Sequence, residues 1–169
     1  MMAKSVLGLP CWKSCRAEFL RIVLLEPEIP QNTGNIGRIA SALGAELWLV
    51  GRLGFSLTDK YMKRAGMDYW KKVNYRHIPT LNEYYGIMNY ESSFISTKGA
   101  LPYTSIKNID SDIVFGNESS GLPPFIYEHY HNRLYRIPMT QGIRSINLSS
   151  SVAVVAYHLT SKNGFKGLV

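Results

Sequence analysis

The stretch RIVLLEPEIPQNTGNIGRIASALGAELWLV, residues 21–50, decides the fold class. It opens with a short continuous apolar run, RIVLL, as expected of a strand covered on both faces. EPEIP breaks that run, and helical periodicity replaces it. Ile36, Ile39, Ala40 and Leu43 fall at i, i+3, i+4 and i+7, which makes one apolar stripe. Asn32 or Thr33 supplies a helix-start cap, and Gly44 stands where a left-handed C-terminal cap is wanted. ELWLV then returns to strand character. Strand, helix and strand in this order predict a right-handed parallel crossover, and so an α/β fold with a mostly parallel sheet flanked by helices.

The pattern continues outward from this unit. KVNYRHI, SSFIS, SDIVFG and RLYRIP read as further strands, with helices expected over Leu81 to Met88 and Pro123 to Tyr130. The last helix is expected from about Ser145 to Lys162, on the stripe Leu148, Val152, Val155 and Leu159, closed by Asn163-Gly164. Repeats, linkers and low-complexity stretches are absent, so residues 21–169 read as one domain. Residues 1–20 fit neither a secretory signal nor the periodic pattern and read as an extension outside the fold.

Composition narrows the class of function. The 169 residues are 46% hydrophobic and 18% charged, which suits a folded globule rather than a disordered chain. Nineteen Lys and Arg against twelve Asp and Glu leave a net charge of +7, which favours a polyanionic partner. Cys11 and Cys15 are the only cysteines, which argues against a disulfide framework and for a reducing, cytoplasmic setting. Neither they nor the four histidines stand at metal-ligand spacing, so no metal is expected. No apolar run approaches the roughly 20 residues a membrane helix needs.

Ligands of open parallel sheets gather beyond the carboxyl ends of the strands. Three polar, glycine-bearing loops are expected there: Asn32 to Arg38, Phe115 to Pro123 and Ile137 to Ser151. Each read singly is an ordinary helix cap or turn. In the first, Asn32, Thr33 and Asn35 sit beside a positive helix end suited to a phosphate or ribose oxygen, with Arg38 able to reach the same mouth. The second has Gly116 and Gly121 for close backbone approach and a single carboxylate, Glu118, able to pair with a cation such as Arg38. The third has Ser145 and Asn147, which can cap the last helix and face a ligand, and Arg144, available for phosphate.

These residues occur in longer blocks: LLEPEIPQNTGNIGR, GFSLTDKYMKRAGMDYW, STKG, VFGNESSGLP and RIPMTQGIRSINLSSSVAVVAYH. In that order they run from Ile22 to about His158 and resemble the SPOUT-class RNA 2'-O-methyltransferases. The similarity is greatest to the small single-domain type acting on the tRNA wobble nucleotide. The resemblance implies a C-terminal deep trefoil knot, the rare exception among folds. It also implies S-adenosylmethionine as cofactor, held through Ile95, Gly116, Ile137, Met139, Ser145 and Asn147. Arg38, Asn32, Glu118 and Tyr157 match positions linked to catalysis or substrate binding. A homodimer, with the substrate pocket completed across its interface, is implied as well. Two positions depart from the pattern: Ser120 stands where relatives often carry arginine, and Ser150 where asparagine is common.

The implied activity is methyl transfer to the ribose 2'-hydroxyl of the wobble cytidine or uridine of tRNA. An rRNA ribose and a non-catalytic, cofactor-binding RNA-binding protein are the alternatives. RNA capture falls to Lys60, Lys63, Arg64, Lys71, Lys72 and Arg144, with Tyr61, Tyr69 and Trp70 for stacking on unpaired bases. A Rossmann dehydrogenase is disfavoured, because the glycine pattern is wrong and no ribose-binding acid follows.

Overall fold

A computed structural model describes residues 20–58, 70–107 and 112–169. Lys60, Tyr61, Lys63, Arg64 and Tyr69 lie outside the described residues. Strand β1 (Arg21–Leu25) leads into helix α1 (Pro30–Leu43) and strand β2 (Glu46–Val50). Then come β3 (Tyr75–Ile78), α2 (Leu81–Ile87), β4 (Ser93–Ile95), β5 (Leu101–Pro102) and β6 (Ile113–Phe115). Helix α3 (Pro124–His129), β7 (Leu134–Arg136) and α4 (Leu148–Lys162) complete the described elements.

Among the described residues the strands form one seven-stranded sheet in the order β3-β2-β1-β6-β4-β7-β5. Every pairing is parallel, so the expected crossover is present and runs through the whole sheet. The two-residue β5 is not among the expected strands. It is too short to show a period and exists by pairing with β7 at the edge.

Alternation along β1 divides the core in two. Ile22 and Leu24 face one side with Leu47, Leu49, Ile113 and Phe115, covered by Ile36 and Ala40 of α1 and Val152, Val155 and Leu159 of α4. Val23 and Leu25 face the other with Trp48, Val50, Phe94 and Val114, covered by Tyr84 and by Ile126 of α3. This period-2 division explains the unbroken apolar runs.

Helix boundaries differ from expectation in instructive places. Gly44 ends α1 at φ 63, as its position suggests. The start of α1 is not capped by Asn32 or Thr33: both are buried within the first turn, and the cap position, Ile29, contributes no side-chain bond. Helix α4 begins three residues later than expected. Asn147 is its cap, with Oδ1 accepting from the Ser149 N–H at 2.9 Å, and Ser145 belongs to the preceding loop.

The stacking role expected for Trp70 is overturned. The side chain is 6% exposed and belongs to the α1-side core. It fits a notch at Gly37, where a Cβ would come within 2.8 Å of the indole ring. An aromatic residue followed by two lysines looks exposed in sequence, but the notch on α1 takes it in. Lys71 and Lys72, in the same single turn of 3-10 helix, remain at the surface.

Candidate active site

The three loops meet beyond the carboxyl ends of β1, β6 and β7, around a cavity of about 760 Å³. Ile95, Gly116, Ile137, Met139, Ser145 and Asn147 all line it, as do Asn32, Glu118 and Arg144. The side chain of Asn32 is the junction. Its Nδ2 donates to Glu118 Oε1 at 2.9 Å, and its Oδ1 accepts from Asn147 Nδ2 at 2.9 Å. One buried amide therefore ties the first loop to the second and the third.

Glu118 does more than accept from Asn32. It also accepts from the backbone N–H of Glu28 at 2.9 Å and of Ile29 at 3.2 Å. These donors lie at the threshold of α1, where the helix macrodipole is positive, so a carboxylate is favoured there. The cap that α1 lacks locally is supplied from another loop. Glu118 thus pairs with amides, not with the guanidinium of Arg38 as the sequence reading allowed.

Gly116 lines the cavity and is also required within its own loop. A Cβ there would lie 2.0 Å from the carbonyl carbon of Gly121, so its close approach is to the protein's own backbone. Asn117 and Gly121 close the loop with paired backbone bonds of 3.1 and 3.2 Å, and Gly121 takes φ 75. Within it, Asn117 Oδ1 accepts from the Ser120 N–H at 2.6 Å and from Ser120 Oγ at 2.9 Å. Ser120 is thus folded into its own turn.

Arg38 and Tyr157 stand apart from the cavity lining. Arg38 is exposed on α1, six residues after Asn32, and Tyr157 is 45% exposed on α4, which packs against α1. The sequence reading missed Ser96, Lys98 and Tyr127, which form a further wall of the cavity. STKG was the signal for the first two; nothing marked Tyr127. No cluster of three or more His, Cys, Asp or Glu gathers among the described residues, and none of their helices is long and apolar enough to cross a membrane.

The SpoU rRNA Methylase family profile matches residues 19–157. The chain belongs to this family. Among its relatives, a putative tRNA (cytidine(34)-2'-O)-methyltransferase from Bacillus subtilis is 41% identical over 154 residues, which is 88% of this chain and 96% of that one. A putative RNA methyltransferase from Bacillus anthracis has a similar structure, with TM-score 0.81, 38% identity, and coverage of 88% of this chain and 97% of that one. A structure described under 2-OH methylation of C/U34 on tRNA gives TM-score 0.76 at 35% identity, covering 86% of this chain and 97% of the other. At these identities and coverages the SpoU assignment extends across the sheet, the cavity and all three loops.

Proposed function

We propose that this SpoU-family protein transfers a methyl group from S-adenosylmethionine to the ribose 2'-hydroxyl of the wobble cytidine or uridine in the tRNA anticodon loop. The observation that carries the reading is the Asn32 junction, which gathers all three family loops around one cavity. Near-full-length relatives named for cytidine-34 methylation favour tRNA over rRNA as the substrate. A cytoplasmic setting, as the cysteine usage suggests, belongs to the same reading.

The cavity residues fit the cofactor. Ile95, Ile137, Met139 and Leu148 offer an apolar lining for the adenosine, and Ser145 and Asn147 offer polar groups. Bound there, the sulfonium supplies an already activated methyl group. The protein's task is then alignment of the ribose oxygen and disposal of its proton. Arg38 serves as a positioning and charge-stabilising group beside the ribose and its phosphate. Deprotonating a guanidinium near neutral pH costs too much for an ordinary general base. Asn32 and Glu118 hold the loops in register.

The same reading includes a C-terminal trefoil knot and a homodimer. Insertion of β6 between β1 and β4, and of β7 between β4 and β5, supports the knot. So does the close backbone approach of Gly99 to Tyr135, where no side chain fits. Exposed Ile143, Ile146, Val154 and Tyr157, on α4 and the loop before it, support burial against a second copy. That copy would complete the pocket near Tyr157 and Arg38.

The test is transfer of a labelled methyl group to total tRNA and, separately, to rRNA, followed by mapping of the modified nucleoside. Label in 2'-O-methylcytidine or 2'-O-methyluridine at the wobble position is the expected result. Label confined to rRNA would select the other substrate, and no label in either would leave a binding protein.

A further inference from the structure

The turn 96–99 after β4 and Tyr127 of α3 make a wall of the cavity to which the proposed reaction assigns no role. The turn is firmly built. Ser96 N–H donates to the Tyr135 carbonyl at 2.8 Å and Gly99 N–H to the Ser96 carbonyl at 3.1 Å. Lys98 N–H donates to Ser96 Oγ at 3.2 Å. A Cβ at Gly99 would lie 2.4 Å from the Tyr135 carbonyl carbon, so backbone rests directly on backbone. Ser96 Oγ and the Tyr127 hydroxyl are 3.0 Å apart, which fixes the tyrosine ring. The Lys98 ammonium stands over that ring, 4.8 Å from its centroid.

A cation is therefore held at the cavity by a rigid turn and an anchored ring. Among the described residues no carboxylate forms an ion pair with Lys98. The acid that lines the cavity, Glu118, is already engaged by two backbone N–H groups and Asn32. The wall thus presents positive charge with a site for an oxyanion and none supplied by the protein.

We infer that Lys98 is an anion-holding residue of the cavity, its ligand an anionic carboxylate or phosphate oxygen. This rests on the methyl-transfer reading, which brings two such groups to the cavity: the carboxylate of the cofactor's methionine portion and a phosphate of the RNA backbone.

The test is binding by the full chain and its Lys98→Met and Lys98→Arg variants. The ligands are S-adenosylmethionine, 5'-methylthioadenosine, which lacks the amino-acid portion, and tRNA over a range of salt. Lys98→Met is expected to weaken one anionic ligand by about three- to tenfold, with Lys98→Arg restoring most of the loss. Weaker S-adenosylmethionine with unchanged 5'-methylthioadenosine assigns the carboxylate. Unchanged S-adenosylmethionine, with weaker tRNA and a salt slope smaller by about one, assigns the phosphate. Unchanged affinity for both anionic ligands overturns the inference. Equal weakening of S-adenosylmethionine and 5'-methylthioadenosine does so too, since it marks distortion of the cavity. Failure of the wild-type chain to methylate RNA would instead sink the functional reading, because the Lys98 comparison is read on binding alone.

Discussion

Asn32 and Glu118 are joined across 86 residues of chain by a 2.9 Å bond, and the same Asn32 amide accepts from Asn147. Removing it by Asn32→Ala frees two loops at once and leaves the Asn147 amide without its acceptor. The expected cost is about 1–3 kcal/mol, as for an orphaned buried polar group. Cofactor affinity should fall with it, because Asn147 also caps α4 and lines the cavity. Asn32→Asp should do worse, since it sets a second carboxylate against Glu118. Urea unfolding and cofactor titration of both variants check this; wild-type affinity in Asn32→Ala would show that the junction does not shape the cavity.

The second prediction separates glycines that are needed from one that is not. At Gly116 a Cβ would meet the Gly121 backbone at 2.0 Å, and neither segment can yield without opening the loop that Glu118 anchors. Gly116→Ala should destabilise by about 3 kcal/mol or more and abolish cofactor binding. At Gly86, inside α2, nothing lies within 4 Å of the added carbon. Gly86→Ala should stabilise by about 0.5–1 kcal/mol and leave activity unchanged. Thermal unfolding of the pair decides it.

What was legible in the sequence follows from the range of each interaction. The stripe Ile36, Ala40 and Leu43 and the cap at Gly44 are local, and both stand in the structure. The cap of α1 is not local: its carboxylate comes from Glu118, and no spacing rule links it to Glu28 and Ile29, 90 and 89 residues away. Trp70 escapes a sequence reading for the same reason, because the notch that buries it is on α1, at Gly37. The cavity residues were legible through their motif blocks, whereas Tyr127 lies in the short helix α3, outside every such block. Its place is set by the hydrogen bond to Ser96, 31 residues away in sequence.

The third prediction concerns pH. Asp112 sits buried at the start of β6, with Oδ1 accepting from Arg21 Nη1 at 2.9 Å. Burial raises its pKa above the ordinary 3.8, an effect that the Arg21 charge and the hydrogen bonds only partly offset. The folded state therefore holds this proton more tightly than the unfolded chain does. The group's contribution to stability is greatest below the unfolded-state pKa. It declines as pH rises through the raised folded value, and then levels. Asp112→Asn removes that decline. Urea midpoints of wild type and variant, compared from acid to neutral pH, should show the variant gaining on the wild type as pH rises. Parallel curves would show that Asp112 ionises in the fold as it does in the unfolded chain.

The last prediction divides the cations by task. Arg38 lies on α1 outside the cavity lining, whereas Lys71 and Lys72 are exposed in the turn that Trp70 anchors. If Arg38 positions the ribose, Arg38→Ala should lower single-turnover methylation by about a hundredfold, the scale of a misaligned reacting group, with cofactor affinity unchanged. Arg38→Lys should recover only part of that, because an ammonium lacks the planar fork that grips a phosphate. Reversing Lys71 and Lys72 to Glu should act on RNA affinity instead. For single-stranded RNA the log-log salt slope should shrink by at least about 0.7 for each phosphate that is no longer neutralised. Turnover at saturating RNA should stay near wild type, since neither lysine lines the cavity. A loss of turnover in the lysine variant that saturating RNA does not restore would place that turn in the chemistry and overturn the division.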